Sequence, residues 1–303
     1  MSAPRSTDND FLEIPSFETP SAHAAEQEDM DNSESGPQSA KCFALMGAKG
    51  GVGTTSLSVQ LAYSLSSDNQ KNRQIGNAVK NPRVCLIDLD FGTGSCAHHL
   101  DLSPGLTLQD LTRRPQDVDR AYMAALVSTH QSGIDLLAAP NSLQGNEQVN
   151  PQTVTAMLDV TCQLYDYVVI DVPRLWRPWN AAAIMGADRF AVITQPNVPA
   201  LHLARRAVED IEAICDMAAP CSVILNRYER RTFRNSLREK DAARALGRDI
   251  TATLCIDVDT LSEASNCGVP AGLIKGDARY VKDARLLKTA WLDSLNDAQH
   301  IAA

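Results

Sequence analysis

From Lys41 onward, seven short apolar runs alternate with stretches of helical pattern: CFALMG, RVCLIDL, IDLLAAP, YVVIDV, RFAVITQP, CSVILN and ITATLCI. Within most of these runs apolar residues follow one another with little polar alternation. Strands of that kind need cover on both faces, which parallel strands joined by crossover helices provide. Helical spacing fills the intervals at 55–67, 118–128, 151–163, 199–217, 232–246 and 278–296. The expected fold is α/β: a mainly parallel twisted sheet with helices on both faces. Residues 68–82 are expected as a polar surface loop between the first helix and the second strand.

The first run leads directly into MGAKGGVGTTS, Met46 to Ser56, and then into a helix. This is the setting of a phosphate-binding loop, GxxxxGK[ST], but Ala48 stands at the first glycine and Thr54 where the lysine belongs. Gly50, Gly51 and Gly53 let backbone N–H groups turn toward phosphate oxygens, so Lys49 to Thr55, with Val52 and Thr54 included, is expected to wrap a nucleotide. The helix start adds the positive end of its dipole. Thr55 occupies the hydroxyl position that binds Mg2+. Asp88 and Asp90 close one strand and Asp171 another, at the strand ends where open α/β sheets hold ligands. Asp88, Asp171 and Thr55 are the metal candidates, and Asp90 is placed to orient or deprotonate an attacking water. Loss of one transition-state donor costs about 3 to 4 kcal/mol, roughly 10^2 to 10^3 in rate. Nucleotide binding is therefore expected to survive the missing lysine better than turnover does.

The formal charge of -9 is unevenly placed, because residues 1–40 carry nine acidic side chains and a single Arg. That segment, rich in Ser, Pro, Asp and Glu, is expected to be a disordered tail. Its apolar island (Phe11, Leu12, Ile14, Phe17) is either plain linker or a docking motif. The expected organisation is thus a 1–40 tail, a 41–298 domain and a 299–303 C-terminal tail. Eight cysteines lie scattered without CxxC spacing and read as buried thiols of a reduced cytoplasmic protein. No stretch reaches the ~20 apolar residues of a membrane span.

KGGVGTTS, LIDLDFG and VVIDVP resemble the deviant Walker A, switch I and Walker B segments of the ParA/MinD family of dimerising ATPases. The resemblance continues through ITQPNVPALHLAR, VILNRY and ASNCGVPAG. It implies ATP and Mg2+ as cofactors and a homodimer formed across ATP. It also implies that Lys49 reaches the partner's phosphates and acts in hydrolysis with Asp90, and that Asn226 contacts adenine. YDYVVIDVPRLWRPWN is similar to the CpaE/TadZ branch, in which a PR-x-W stretch follows the Walker B aspartate. That likeness implies a switch with weak ATPase activity that positions or assembles a Tad/Flp-type pilus machine through pilus or secretion proteins, at a cell pole or an inner-membrane machine. The other reading is a ParA-like DNA-segregation ATPase using RYERRTFRNSLREK, residues 227–240, with six basic and two acidic side chains. The near-neutral body weighs against DNA. Trp176 and Trp179 either pack within the protomer or line a dimer or partner surface. His98 and His99 have no other clustered ligands, so no metal role is expected of them. The amphipathic helix that ends the chain is expected to pack on the core and not on a membrane.

Overall fold

The computed structural model describes residues 39–67, 81–140, 142, 146–215, 217, 220–229 and 237–302, with the side chains of 146 and 298–302 excepted. Residues 1–38 of the expected 1–40 tail, all but the end of the 68–82 loop, and Arg230, Arg231 and Arg234 of the basic segment lie outside them. Ala40, expected as the end of the tail, is instead buried, with its N–H held by the Cys162 carbonyl at 2.8 Å. The described residues belong to one unit, Pro37–Ala303.

In chain order the elements are β1 (Lys41–Gly47), α1 (Thr54–Ser66), β2 (Val84–Asp88), the single turn α2 (Cys96–His99), α3 (Arg120–Leu126), β3 (Ser128–Thr129), β4 (Ile134–Leu137), α4 (Pro151–Leu164), β5 (Tyr167–Val172), α5 (Asn180–Met185), β6 (Arg189–Thr194), α6 (Val198–Ile214), β7 (Ser222–Tyr228), α7 (Glu239–Leu246), β8 (Ala252–Cys255), α8 (Val258–Asn266), α9 (Ala271–Ile274) and α10 (Arg279–Ala302). The strands form one sheet in the order β3-β4-β2-β5-β1-β6-β7-β8. Every pairing is parallel except β3 with β4.

Each strand sends alternate side chains to opposite faces, and both faces are buried. From β1, Cys42, Ala44 and Met46 join a core with Val154, Met157 and Leu158 of α4 and Leu201, Ala204 and Val208 of α6. Phe43 and Leu45 point the other way, into a core with Leu57, Leu61 and Leu65 of α1. Tyr280, Val281, Ala284, Leu287, Trp291 and Leu295 of α10 complete that second core at helical spacing. The final helix is therefore a core element, as its sequence implied. Trp291 stacks on Phe43 with centroids 5.5 Å apart.

All seven apolar runs contain a strand, though several end earlier than the run does. The helical reading over 118–128 is corrected at both ends. Asp119 caps α3 by accepting the Tyr122 N–H at 2.7 Å, and the chain leaves the helix after Leu126 to form β3, an edge strand too short to show any pattern. The helix expected over 199–217 likewise stops at Ile214. Helices α2, α5, α8 and α9 were not foreseen.

The cysteine expectation holds in part. Cys42, Cys85, Cys96, Cys215 and Cys221 are buried, Cys162 and Cys255 are half-buried and Cys267 is exposed. Cys267 follows the last turn of α8, where the chain turns at the surface.

Candidate nucleotide site

The cavity at the C-terminal edge of the sheet grows out of β1. Ala48 leaves the strand with its N–H held by the Ile193 carbonyl of β6 at 2.9 Å. The carbonyls of the following loop are then fastened in turn. Gly50 accepts from Lys49 Nζ at 3.3 Å, Gly51 from Gln195 Nε2 at 3.0 Å and Val52 from Asn226 Nδ2 at 2.8 Å. Among the described residues, no hydrogen bond is donated by the backbone N–H groups of residues 50–56. Helix α1 starts on Gly53 without a side-chain cap. Uncapped amides at a helix start, in a cavity, are anion-binding groups. Gly53 is required twice over: its φ of 88° is left-handed, and a Cβ there would stand 2.6 Å from Asn226 Nδ2.

Facing the loop are the carboxylates. Asp88 and Asp171 are direct neighbours in the β2–β5 ladder, and Asp171 pairs with Leu45 of the strand that feeds the loop. Both are buried. Asp88 accepts N–H groups from Asp90 at 3.1 Å and Cys96 at 3.0 Å. Burial pushes its carboxyl up to about 6 against those hydrogen bonds. Burial, and then the negative charge of Asp88, push Asp171 up to about 8, against the opposing influence of the nearby Thr55 hydroxyl and Cys96 thiol. The Cys96 thiol donates to Asp171 at 3.5 Å, and Ser95 donates to Thr55 Oγ1 at 3.3 Å. Two adjacent buried carboxylates raised in this way lack a counter-charge. With the Thr55 hydroxyl they form a hard oxygen donor set that fits Mg2+. Gly94 packs directly on the Asp88 carboxylate, leaving no room for a side chain.

These groups line one cavity of about 400 Å3, within the range of small-molecule sites. It brings together Lys49 to Thr55, Asp88, Asp90 and Asp171. Asp90 lies on the rim, where its carboxylate accepts the N–H of Thr93 at 3.0 Å and its hydroxyl at 2.8 Å. Asn226 does not line the cavity: it is buried beneath the loop, bonded to Val52 through Nδ2 and accepting the Arg227 N–H at 2.9 Å through Oδ1. One hydrogen of its amide remains uncommitted.

Other lining residues were not singled out from sequence, chiefly Arg174, Arg227, Thr93 and Ser95. Arg174 and Arg227 stood in quoted segments, three residues after Asp171 and immediately after Asn226, and that proximity was the available signal. Arg227 has a left-handed φ of 56° beside the irregularity in the β7–β8 pairing. A non-glycine residue in that region at a site edge is a strained, positioned one.

The two tryptophans separate. Trp179 is buried, tilts against Phe91 at 5.2 Å and donates Nε1–H to the Leu89 carbonyl at 3.3 Å. It fastens the segment after β5 to the segment after β2, one on each side of the carboxylates. Trp176 and Leu175 are exposed, at 39% and 63%.

A glycine loop opening into a helix N-terminus across from paired strand-end carboxylates defines a P-loop nucleotide-binding protein. The family model described as AAA domain (AAA_31) matches residues 40–220, and the chain belongs to that family as a ParA/MinD-family P-loop ATPase. The septum site-determining protein MinD of Thermotoga maritima is 28% identical over 247 residues, spanning 78% of this chain and 82% of that protein. A ParA family ATPase from Chlorobium tepidum TLS shares the fold with a TM-score of 0.71 at 18% identity, over 83% of this chain and 98% of that one. The MinD of Pyrococcus horikoshii OT3, solved as a complex with Mg-ADP, matches with a TM-score of 0.65 at 17% identity, over 87% and 99% of the two chains.

Proposed function

We propose that this chain is an ATP-binding, dimerising switch of the CpaE/TadZ type that positions or assembles a Tad/Flp-type pilus machine and hydrolyses ATP weakly. One observation carries the reading: the cavity keeps the unbonded loop amides and paired carboxylates of a phosphate and metal site, yet Thr54 stands where a P-loop puts its lysine. Free amides of residues 50–56 hold the phosphate oxygens. Thr55, Asp88 and Asp171 hold Mg2+, which when bound neutralises the phosphate charge. Asp90, on the rim beside Thr93, orients the attacking water.

Lys49 stays half-buried at the cavity mouth and, among the described residues, its ammonium holds only the neighbouring Gly50 carbonyl. It is therefore free to exchange that contact for the phosphates of a second protomer. Asn226, buried beneath the loop, braces Val52 and reaches adenine through its remaining amide hydrogen only when nucleotide binding opens that edge of the loop. Turnover without a lysine in cis stays below about 1 per second, under the ordinary enzyme range. Partners are pilus or secretion proteins that meet the ATP-bound dimer, and the location is the cytoplasmic side of that machine. No helix among the described residues is long and apolar enough to cross a membrane.

Titration of the full chain with ATP and Mg2+ tests the reading: saturable binding supports it, and no binding at millimolar ATP removes it. The alternative, a ParA-like DNA-segregation ATPase, draws on the likeness to ParA family ATPases. ATP-dependent DNA retention that is lost on replacing Arg230, Arg231 and Arg234 would favour it. Absence of retention at low salt favours the pilus reading.

A further inference from the structure

The nucleotide cavity carries three carboxylates and must accept a polyanion. Lys49 turns back onto Gly50, and His99, on the cavity wall, is kept neutral by burial and by the nearby His98. Among the described residues, the remaining cations on the wall are Arg174 and Arg227. Strand order assigns each to an end of the site. β2 and β5, on one side of β1, carry Asp88 and Asp171. That end binds the cation, and with it the terminal phosphates. β7 lies on the other side of β1, beyond β6, and carries Arg227 with Asn226 beneath Val52.

Arg174 follows Asp171 by three residues and so stands at the metal end. Its backbone approach is fixed, because the buried Asn180 donates to the Pro173 carbonyl at 2.9 Å and Trp179 anchors the segment that follows. Its side chain is exposed, and among the described residues it makes no hydrogen bond or ion pair.

We propose that Arg174 binds the terminal phosphate of the nucleotide in cis and supplies the charge that Thr54 lacks. A guanidinium suits this task, since its planar fork of N–H donors matches phosphoryl oxygens two at a time. The inference rests on the nucleotide-switch reading. It adds a consequence: Arg174 makes the protomer itself discriminate ATP from ADP before any partner arrives.

Isothermal titration with Mg-ATPγS and Mg-ADP, at protein concentrations where sedimentation shows monomers, tests it on the full chain. Arg174→Gln is expected to weaken Mg-ATPγS binding by ~10-fold or more, the value of a charged hydrogen-bonding group, and to change Mg-ADP binding far less. Arg174→Lys should recover part of the loss, and Arg227→Gln should weaken both nucleotides alike. The nucleotide-free melting temperature of Arg174→Gln should match the wild type, because the side chain is exposed. Equal losses for the two nucleotides, or none, overturn the proposal. Normal binding by an Arg174→Gln protein that no longer dimerises would assign the guanidinium to the partner's site and also overturn it. If the wild type binds neither nucleotide, the switch reading itself fails.

Discussion

Replacing Asp171 by Asn should make the nucleotide-free protein more stable while removing its response to Mg-ATP. Asp171 is buried beside Asp88, and burial followed by the charge of Asp88 raises its carboxyl from 3.8 to about 8. The sign follows from proton linkage. Between those two values the unfolded chain has released a proton that the folded chain still binds, so stability falls as pH rises through that window. At pH 7 the separation from the ordinary value is about three pH units, each worth about 1.4 kcal/mol, which sets a ceiling of about 4 kcal/mol. Asparagine keeps the shape and the capacity to accept the Cys96 hydrogen bond without titrating. Urea unfolding in EDTA from pH 4 to pH 8 is the assay. Asp171→Asn should gain about 2 to 4 kcal/mol over wild type near pH 7, and the gap should shrink toward zero near pH 4. Mg-ATP should raise the melting temperature of the wild type and leave the variant unchanged. A variant that is less stable than wild type at pH 8, or a gap that does not grow with pH, would refute the reasoning about a site built to hold a cation.

Three further outcomes follow from particular contacts. Asn226→Ala removes the bond to Val52 and should cost about 1 to 3 kcal/mol in stability, because it leaves a buried carbonyl unpaired; calorimetric titration should also show weaker ATP binding. Trp291→Ala empties the place where α10 stacks on Phe43, and denaturant unfolding should show a loss of about 3 to 5 kcal/mol. Thr54→Lys restores the residue a P-loop has at this position and should raise ATP turnover at least 10-fold in a phosphate-release assay, toward the ~10^2 to 10^3 that a transition-state donor is worth.

The fold was legible because buried parallel strands announce themselves locally. Runs such as YVVIDV need no partner to be recognised, and α1, α4, α6 and α10 are long enough to show a helical face. By contrast, α2, α5 and α9 span six residues or fewer, too short for a periodic pattern, and β3 is an edge strand of two residues. The loop and the three aspartates were legible for the same local reason: strand, glycines and helix stand in one continuous stretch, and each aspartate ends an apolar run. What sequence did not reveal depends on distance along the chain. Asn226 meets Val52 across 174 positions, Cys96 meets Asp171 across 75, and Trp179 meets Leu89 across 90. Arg174 was visible as a letter, but its place on the cavity wall follows from β5 lying next to β1 in the sheet. The role of Lys49 in a second protomer came from family resemblance.

Sedimentation velocity with Mg-ATP, comparing wild type with Lys49→Ala, tests the switch most directly. The wild type should shift from monomer to dimer when ATP replaces ADP. Lys49→Ala should still bind ATP through the loop amides, Thr55 and the paired carboxylates, yet stay monomeric. A Lys49→Ala protein that dimerises with ATP as the wild type does, or a wild type that stays monomeric at saturating ATP, would contradict the proposal.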